Sequence, residues 1–425
     1  MGMKLSRSSQ LLLVAAASLA TASLITACQQ LTQTLTVDFV YVASAKAAGS
    51  SNYGEINVFE INSESGRMRQ IPTSPFPSEG RNPVAEAVST DYGSLFVVNQ
   101  DDNTIVQFII GPDGKLYPYD TVNTPGIYPL SVAAAKSAVF VADIYQPLAI
   151  ASSAHPCSGS IAVYPLGAAS GGNPVQMGTP AANPAVNAQY WPLALPGANS
   201  DATGCTSSGH VIVPTAVNVL ASGAYVYVTA YDSSVTPSAG YLYAFSVASN
   251  GVLTAVPGSP FAAGVLPSAL ASDAKSAYVY VTDSSAGAVL GYAVGGSGAL
   301  TALSGSPYPA GNGPSAIAVD PSFAFAYVTN ATDSTVTAYS ISNGALTRIA
   351  SYATGIQPVA VGIDPSTNHF LFTVNFLDST VSGFELSQTA GTLLVSQSSP
   401  FGTNAQPLAA VAVPHNGTGS GVQTQ

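Results

Sequence analysis

Charge is what this 425-residue chain has least of: Asp, Glu, Lys and Arg together make up 7% of it, against a usual share of about 25%. Solubility must therefore rest on hydroxyls, amides and backbone. The few charges are lopsided, 21 acidic against 10 basic for a formal net charge of −11, and no basic run exists, which excludes nucleic acid as a partner. Histidine is equally scarce, with four residues: His155, His210, His369 and His415. The sequence contains no HExxH, no GxSxG elbow and no phosphate-cradling GxxxxGK[ST], so the common metallohydrolase, serine-hydrolase and nucleotide chemistries have no footing. Long amphipathic helical stretches are missing as well.

What remains is a repeat. The stretch Phe325 to Ile341, FAYVTNATDSTVTAYSI, reads as an apolar strand ending in Asn, a short polar loop and a second β-branched strand. Six more copies of the first strand follow the same plan: FVYVAS from Phe39, LFVVN from Leu95, AVFVAD from Ala138, YVYVTAY from Tyr225, YVYVTD from Tyr278 and FLFTVN from Phe370. Four strand types recur, A to D. Strand A opens with Pro and is rich in small residues, as in Pro314 to Val319 (PSAIAV), which suits a strand crowded around a central axis. Strand B is the apolar run, C follows the loop, and D usually follows a Gly.

The chain enters the pattern at a B strand and leaves it on an unpartnered A strand, Pro407 to Val413, so a closed ring uses every strand and removes an exposed edge. The expected fold is all-β, a seven-bladed β-propeller over 38–413 whose C-terminal strand closes the N-terminal blade. The spacing of 87 between Phe140 and Tyr227 is close to two periods, which keeps eight blades as the alternative. The stretch 167–213 reads as an insertion, since it holds no second YVxN-like strand and is interrupted by Pro and Gly. No D strand is apparent for the third blade.

The tetrads Tyr327-Val328-Thr329-Asn330, YVTD at Tyr280 and YVTA at Tyr227 resemble those of the YVTN-repeat and lactonase-like seven-bladed propellers, whose best-known enzyme type opens 6-phosphogluconolactone. The resemblance implies the propeller fold and, as one option, a lactonase-like hydrolase acting on a sugar lactone. In the lactonase branch strand A opens with Gly-Pro-Arg-His; after Gly313-Pro314 this chain has Ser315 and Ala316. A binding or scaffolding module is therefore the leading expectation, with a protein or carbohydrate partner, no cofactor, no metal and a monomeric state.

Candidate ligand-binding residues are the polar ends of the B strands, Asn99, Asp143, Asp283, Asn330 and Asn375, together with Tyr190 and Trp191 in the insertion. Turn chemistry competes as an explanation for the ring, because Asn and Asp bond their own backbone at such loops. Lys4, Arg7, an apolar run and Ile25-Thr26-Ala27-Cys28 resemble a bacterial lipoprotein signal over 1–27 with Cys28 lipidated. A short tether (28–37) and a tail (414–425) flank the propeller, and an outer-membrane, lipid-anchored location follows. In an oxidising compartment the remaining Cys157 and Cys205 are expected to form a disulfide rather than a metal site with His155 and His210.

Overall fold

The computed structural model describes residues 36–45, 53–147, 157–167, 175–185, 187–195 and 210–415. The chain divides into Met1–Thr36 and Val37–Gln425, and the second of these units carries the fold. The signal, Cys28, the tether, His155, Cys205 and the tail beyond His415 lie outside the described residues.

Seven antiparallel sheets make seven blades. Blade 1 is assembled from both ends, Pro407–Pro414 pairing with Thr36–Ser44 in register from Phe39 opposite Val413 to Ala43 opposite Ala409. Blades 2 to 7 open with the A strands Pro83–Val88, Ile127–Ala134, Ile212–Val219, Pro267–Ser272, Pro314–Val319 and Pro358–Ile363. Each A strand packs against the next and the last against the first, so the ring is closed. An eighth sheet is absent among the described residues. The long 167–213 stretch instead supplies what blade 3 lacked: Trp191–Pro192 pairs with Ser160 and Ile161 as its fourth strand.

Each letter of the tetrad has a physical task. The tyrosine is fully buried, and its hydroxyl donates to a glycine carbonyl at the C to D turn of the following blade: Tyr227 to Gly298 (2.8 Å), Tyr280 to Gly344 (2.8 Å), Tyr327 to Gly391 (3.2 Å) and Tyr41 to Gly114 (3.0 Å). These glycines have positive φ, and a Cβ on Gly298 would stand 2.4 Å from the Tyr225 ring. That is why D strands follow glycine. The valine points to the other face of the sheet and fills the core shared with the preceding blade, as Val228 does beside blade 3 and Val281 beside blade 4.

The threonine answers a bulge. In every blade the A to B register slips by one residue next to the opening proline, as between Pro314 and Ala316. The extra residue, Ser315, shares its hydroxyl with Thr329 and donates to Pro358 O of the next blade at 2.6 Å; Ser268 does the same with Thr282 and Pro314 O. Asp273, Asp320 and Asp364 accept backbone N–H groups within the A to B turns, as at Asp320 from Ala324 and Phe325. These carboxylates are turn caps.

Ring closure contains a buried acid pair. The Ser366 hydroxyl of blade 7 donates to the Asp38 carboxylate of blade 1, with Asp364 close by. Burial, and then the neighbouring Asp364 charge, push the Asp38 carboxyl up to about 8. A carboxyl raised on folding contributes stability below its unfolded value, and that stability is lost as pH rises towards about 8. Asp38→Asn should therefore raise the melting temperature at pH 9 and change it little at pH 4; equal shifts at both values would contradict this. Tyr280→Phe should lower stability by about 1 kcal/mol, read as a lower urea midpoint with unchanged slope. Phe96, Phe140 and Phe372 already occupy the matching positions, so the ring itself fits.

Candidate functional site

The polar ends of the B strands do gather at one end of the ring, but they face inward. Asn99, Asp143, Asp283, Asn330 and Asn375 are at most 1% exposed. Asn330 accepts from Gly311 N (2.9 Å) and donates to Thr335 and Thr337; Asn375 donates to Thr380 and Ser382 in the same way. Asp283 accepts from Val265 N (2.7 Å), Leu266 N, Ser285 N and Ala286 N. Asn99 donates to Ser78 O. Asn99, Asp283 and Asn330 thus fold over the D to A loop and hold it, and the loop glycines leave room for them: a Cβ on Gly311 would meet Asn330 at 2.6 Å. Turn chemistry accounts for the ring, and the ligand contact expected of these five is not where the structure places them. Asp143 is the outlier. Burial pushes its carboxyl up to about 8, with Thr124 and Gly126 opposing, so it acts as a neutral acid in the slot that Asn fills in blades 2, 6 and 7.

Tyr190 and Trp191 are likewise core residues, 5% and 6% exposed. The Trp191 indole donates to Leu253 O of blade 4 at 3.0 Å and packs with Phe245 and Leu253. The two-residue D strand is anchored by this side chain, which explains why the chain's one Trp lies there and removes it from the loop face.

The rim of the loop face has other features. The residues that follow the A-strand prolines, Val84, Leu130, Thr215, Ser268, Ser315, Val359 and Leu408, are half-buried; aliphatic side chains occupy blades 7, 1, 2 and 3, and hydroxyls occupy blades 4, 5 and 6. Between blades 3 and 4 a histidine and a carboxylate meet. His210 immediately precedes strand A of blade 4, and Asp232 ends strand B, where register places it opposite Ile212. Asp232 Oδ2 lies 2.5 Å from His210 Nδ1 and is 1% exposed, while the imidazole keeps 38% of its surface. Burial works to raise the Asp232 carboxyl, and the Ser234 hydroxyl and the His210 ring outweigh it, so it stays below the usual carboxylate range and ionised. A buried carboxylate on Nδ1 fixes the tautomer and orientation of the ring.

This pair was not legible as a site in the sequence, where His210 was read beside Cys205. The signal was there in part: YVTAYD is two residues longer than YVTN, which pushes a carboxylate beyond the ring. Ser158 Oγ accepts from Ile212 N (3.0 Å) and Gly159 N donates to Ile212 O (2.8 Å), joining the segment after Cys157 to the strand after His210. Cys157 is buried. His369 is exposed on blade 7, and the His415 ring lies tilted against Phe39 at the closure, centroids 5.4 Å apart. Among the described residues no group of three or more His, Cys, Asp or Glu gathers to hold a metal ion.

The seven sheets define a seven-bladed β-propeller. Residues 302–406 match the family model described as Lactonase, 7-bladed beta-propeller. In structure the chain is similar to a protein assigned as a 6-phosphogluconolactonase from Bacteroides fragilis, with TM-score 0.67, 19% identity and 90% and 99% of the two chains covered. It is also similar to the periplasmic gluconolactonase of Pseudomonas aeruginosa, with TM-score 0.64, 18% identity and 89% and 99% covered. At such identities the likeness is one of fold. No curated protein matches the sequence.

Proposed function

We propose that the protein is a lactonase-type hydrolase that opens a sugar lactone at the loop face, with His210 as general base and Asp232 as its positioning residue. The observation that carries this reading is the His210–Asp232 pair at the rim, beside a half-aliphatic, half-hydroxyl mouth. The match of residues 302–406 to the lactonase family and the gluconolactonase-type neighbours support the reaction class. In the reaction, His210 Nε2 takes a proton from water as the oxygen attacks the lactone carbonyl. The tetrahedral intermediate then collapses, the ring C–O bond breaks, and the imidazolium returns the proton to the departing alkoxide, giving the hydroxy acid. The Arg-His pair of strand A is replaced by Ser315 and Ala316, so the base comes from a different blade.

In the sequence, the dearth of titratable groups and the Tyr190-Trp191 pair favour a pure binding module. The imidazole at the rim and the burial of both aromatics weigh against it. His210→Gln should lower kcat for δ-gluconolactone by about two to four orders of magnitude. Unchanged hydrolysis in the variant, or none by the wild type over a lactone panel, would defeat the reading.

We further propose that Cys28 is lipidated, tethering the propeller in the outer membrane, and that Cys157 pairs with Cys205. The lipobox-like Ile25-Thr26-Ala27-Cys28 supports the first. For the second, the hydrogen bonds of Ser158 and Gly159 to Ile212 bring the chain after Cys157 to within seven positions of Cys205. Intact-mass analysis of protein extracted from membranes should give a diacylglyceryl adduct on a chain starting at Cys28, two hydrogens lighter than the reduced form. An unmodified mass, or two alkylatable thiols, would refute the respective proposal.

A further inference from the structure

The opposite end of the ring, where the A to B turns lie, holds a cavity of about 830 Å³. Its walls come from the turns of blades 2 to 5 and from Leu166, Gly167 and Val175. A volume of this order accommodates a small organic molecule. One wall is deliberately fixed: Gln107 of blade 2 donates to Val175 O (2.6 Å) and accepts from Met177 N (3.1 Å), strapping the 175–177 segment to the blade.

Two side chains in this corner break the repeat. The tetrad aromatics are flanked across the sheet mostly by alanine or glycine, as Tyr327 is by Ala318 and Ala338 and Tyr280 by Ala271 and Gly291. Gln107 stands in that place beside Phe96, and its bonds to the strap account for it. Asn218 stands in that place beside Tyr227, where the neighbouring blades have Ala133 and Ala271. Asn218 is 7% exposed, lines the cavity, and its Oδ1 has no hydrogen-bond partner among the described residues. A buried amide oxygen left unpaired is a net loss to the fold, whereas the alanine of the neighbouring blades would cost nothing. Lys136 reaches the same cavity, and no described carboxylate pairs with it. Asp91 is occupied in its own turn by Ser89 Oγ and Gly93 N.

We propose that this cavity is a second ligand site, distinct from the loop-face rim, for a small hydroxylated carboxylate. The ammonium of Lys136 takes the single negative charge, and the Asn218 amide, whose Oδ1 is itself closed off, turns to present that oxygen to a ligand hydroxyl. Hydroxyls of Ser137 and Ser222 line the remaining polar wall, with Leu166 and Leu220 against the carbon chain. The proposal does not depend on lactone hydrolysis at His210.

Sodium gluconate is the probe, titrated calorimetrically into the full chain. Saturable binding is expected, about tenfold weaker in Asn218→Ala for the loss of one hydrogen bond, lost in Lys136→Ala, and unchanged in His210→Ala. Because Asn218→Ala restores the residue of the neighbouring blades, its melting temperature without ligand should equal or exceed that of the wild type, which separates lost binding from lost folding. Absence of gluconate binding to the wild type, or binding that survives Asn218→Ala and fails in His210→Ala, would overturn the proposal.

Discussion

Five of the seven blade junctions are held by an aromatic side chain laid against a glycine, Phe39 on Gly114, Tyr225 on Gly298, Tyr278 on Gly344, Phe325 on Gly391 and Phe370 on Gly66. A B-strand ring such as Tyr225 or Phe325 lies where a Cβ on Gly298 or Gly391 would otherwise be, and the next aromatic along the strand, Tyr227 or Tyr327, donates its hydroxyl to that glycine's carbonyl. The contact needs a left-handed glycine in one blade and a fully buried tyrosine in the other. It therefore fixes the spacing of blades around the axis. From that spacing follow the small residues of the A strands, the bulge beside each proline and the shared hydroxyls of serine and threonine. A chain with so few charges can be stable because its polar atoms are consumed between blades.

Architecture was legible in the sequence for the reason that it repeats. Seven B strands share a pattern because seven identical packing problems share a solution, and the unpartnered Pro407 strand declared the closure with Phe39 that the structure shows. The fourth strand of blade 3 was not legible. Two residues, Trp191 and Pro192, make it, and their pairing with Ser160 and Ile161 spans a Pro-rich stretch that has no strand periodicity of its own. Exposure was misjudged for the same kind of reason: a Tyr-Trp pair in an apparent insertion reads as a surface contact until the indole is seen bonded to Leu253. His210 and Asp232 lie 22 positions apart and meet only through the register of a strand extended past its tetrad. Asn218 was within reach, since aligning the A strands shows an amide in a column of small apolar residues.

The proposed chemistry lies where the repeat is broken. The Asn and Asp side chains at the loop face are buried, and Asp283, Asn330 and Asn375 each make several hydrogen bonds within their own blade, as expected of a device that holds the blade together. Departures concentrate in blades 2 to 4: Gln107 with its strap, Asn218 without a partner, Asp143 as a neutral acid, and the His210–Asp232 pair. Some of these departures cost stability, and a fold with four regular blades and a closed ring can carry that cost.

The claim that this corner holds the chemistry, while the tetrads hold only the frame, is most directly tested by a crystal structure of the full chain soaked with gluconolactam, a lactone analogue that resists hydrolysis. The account predicts density for the amide carbonyl within hydrogen-bonding reach of a water held by His210 Nε2 at the loop-face rim. Density seated instead on the Asn330 and Asn375 side of the ring, with His210 uninvolved, would contradict it.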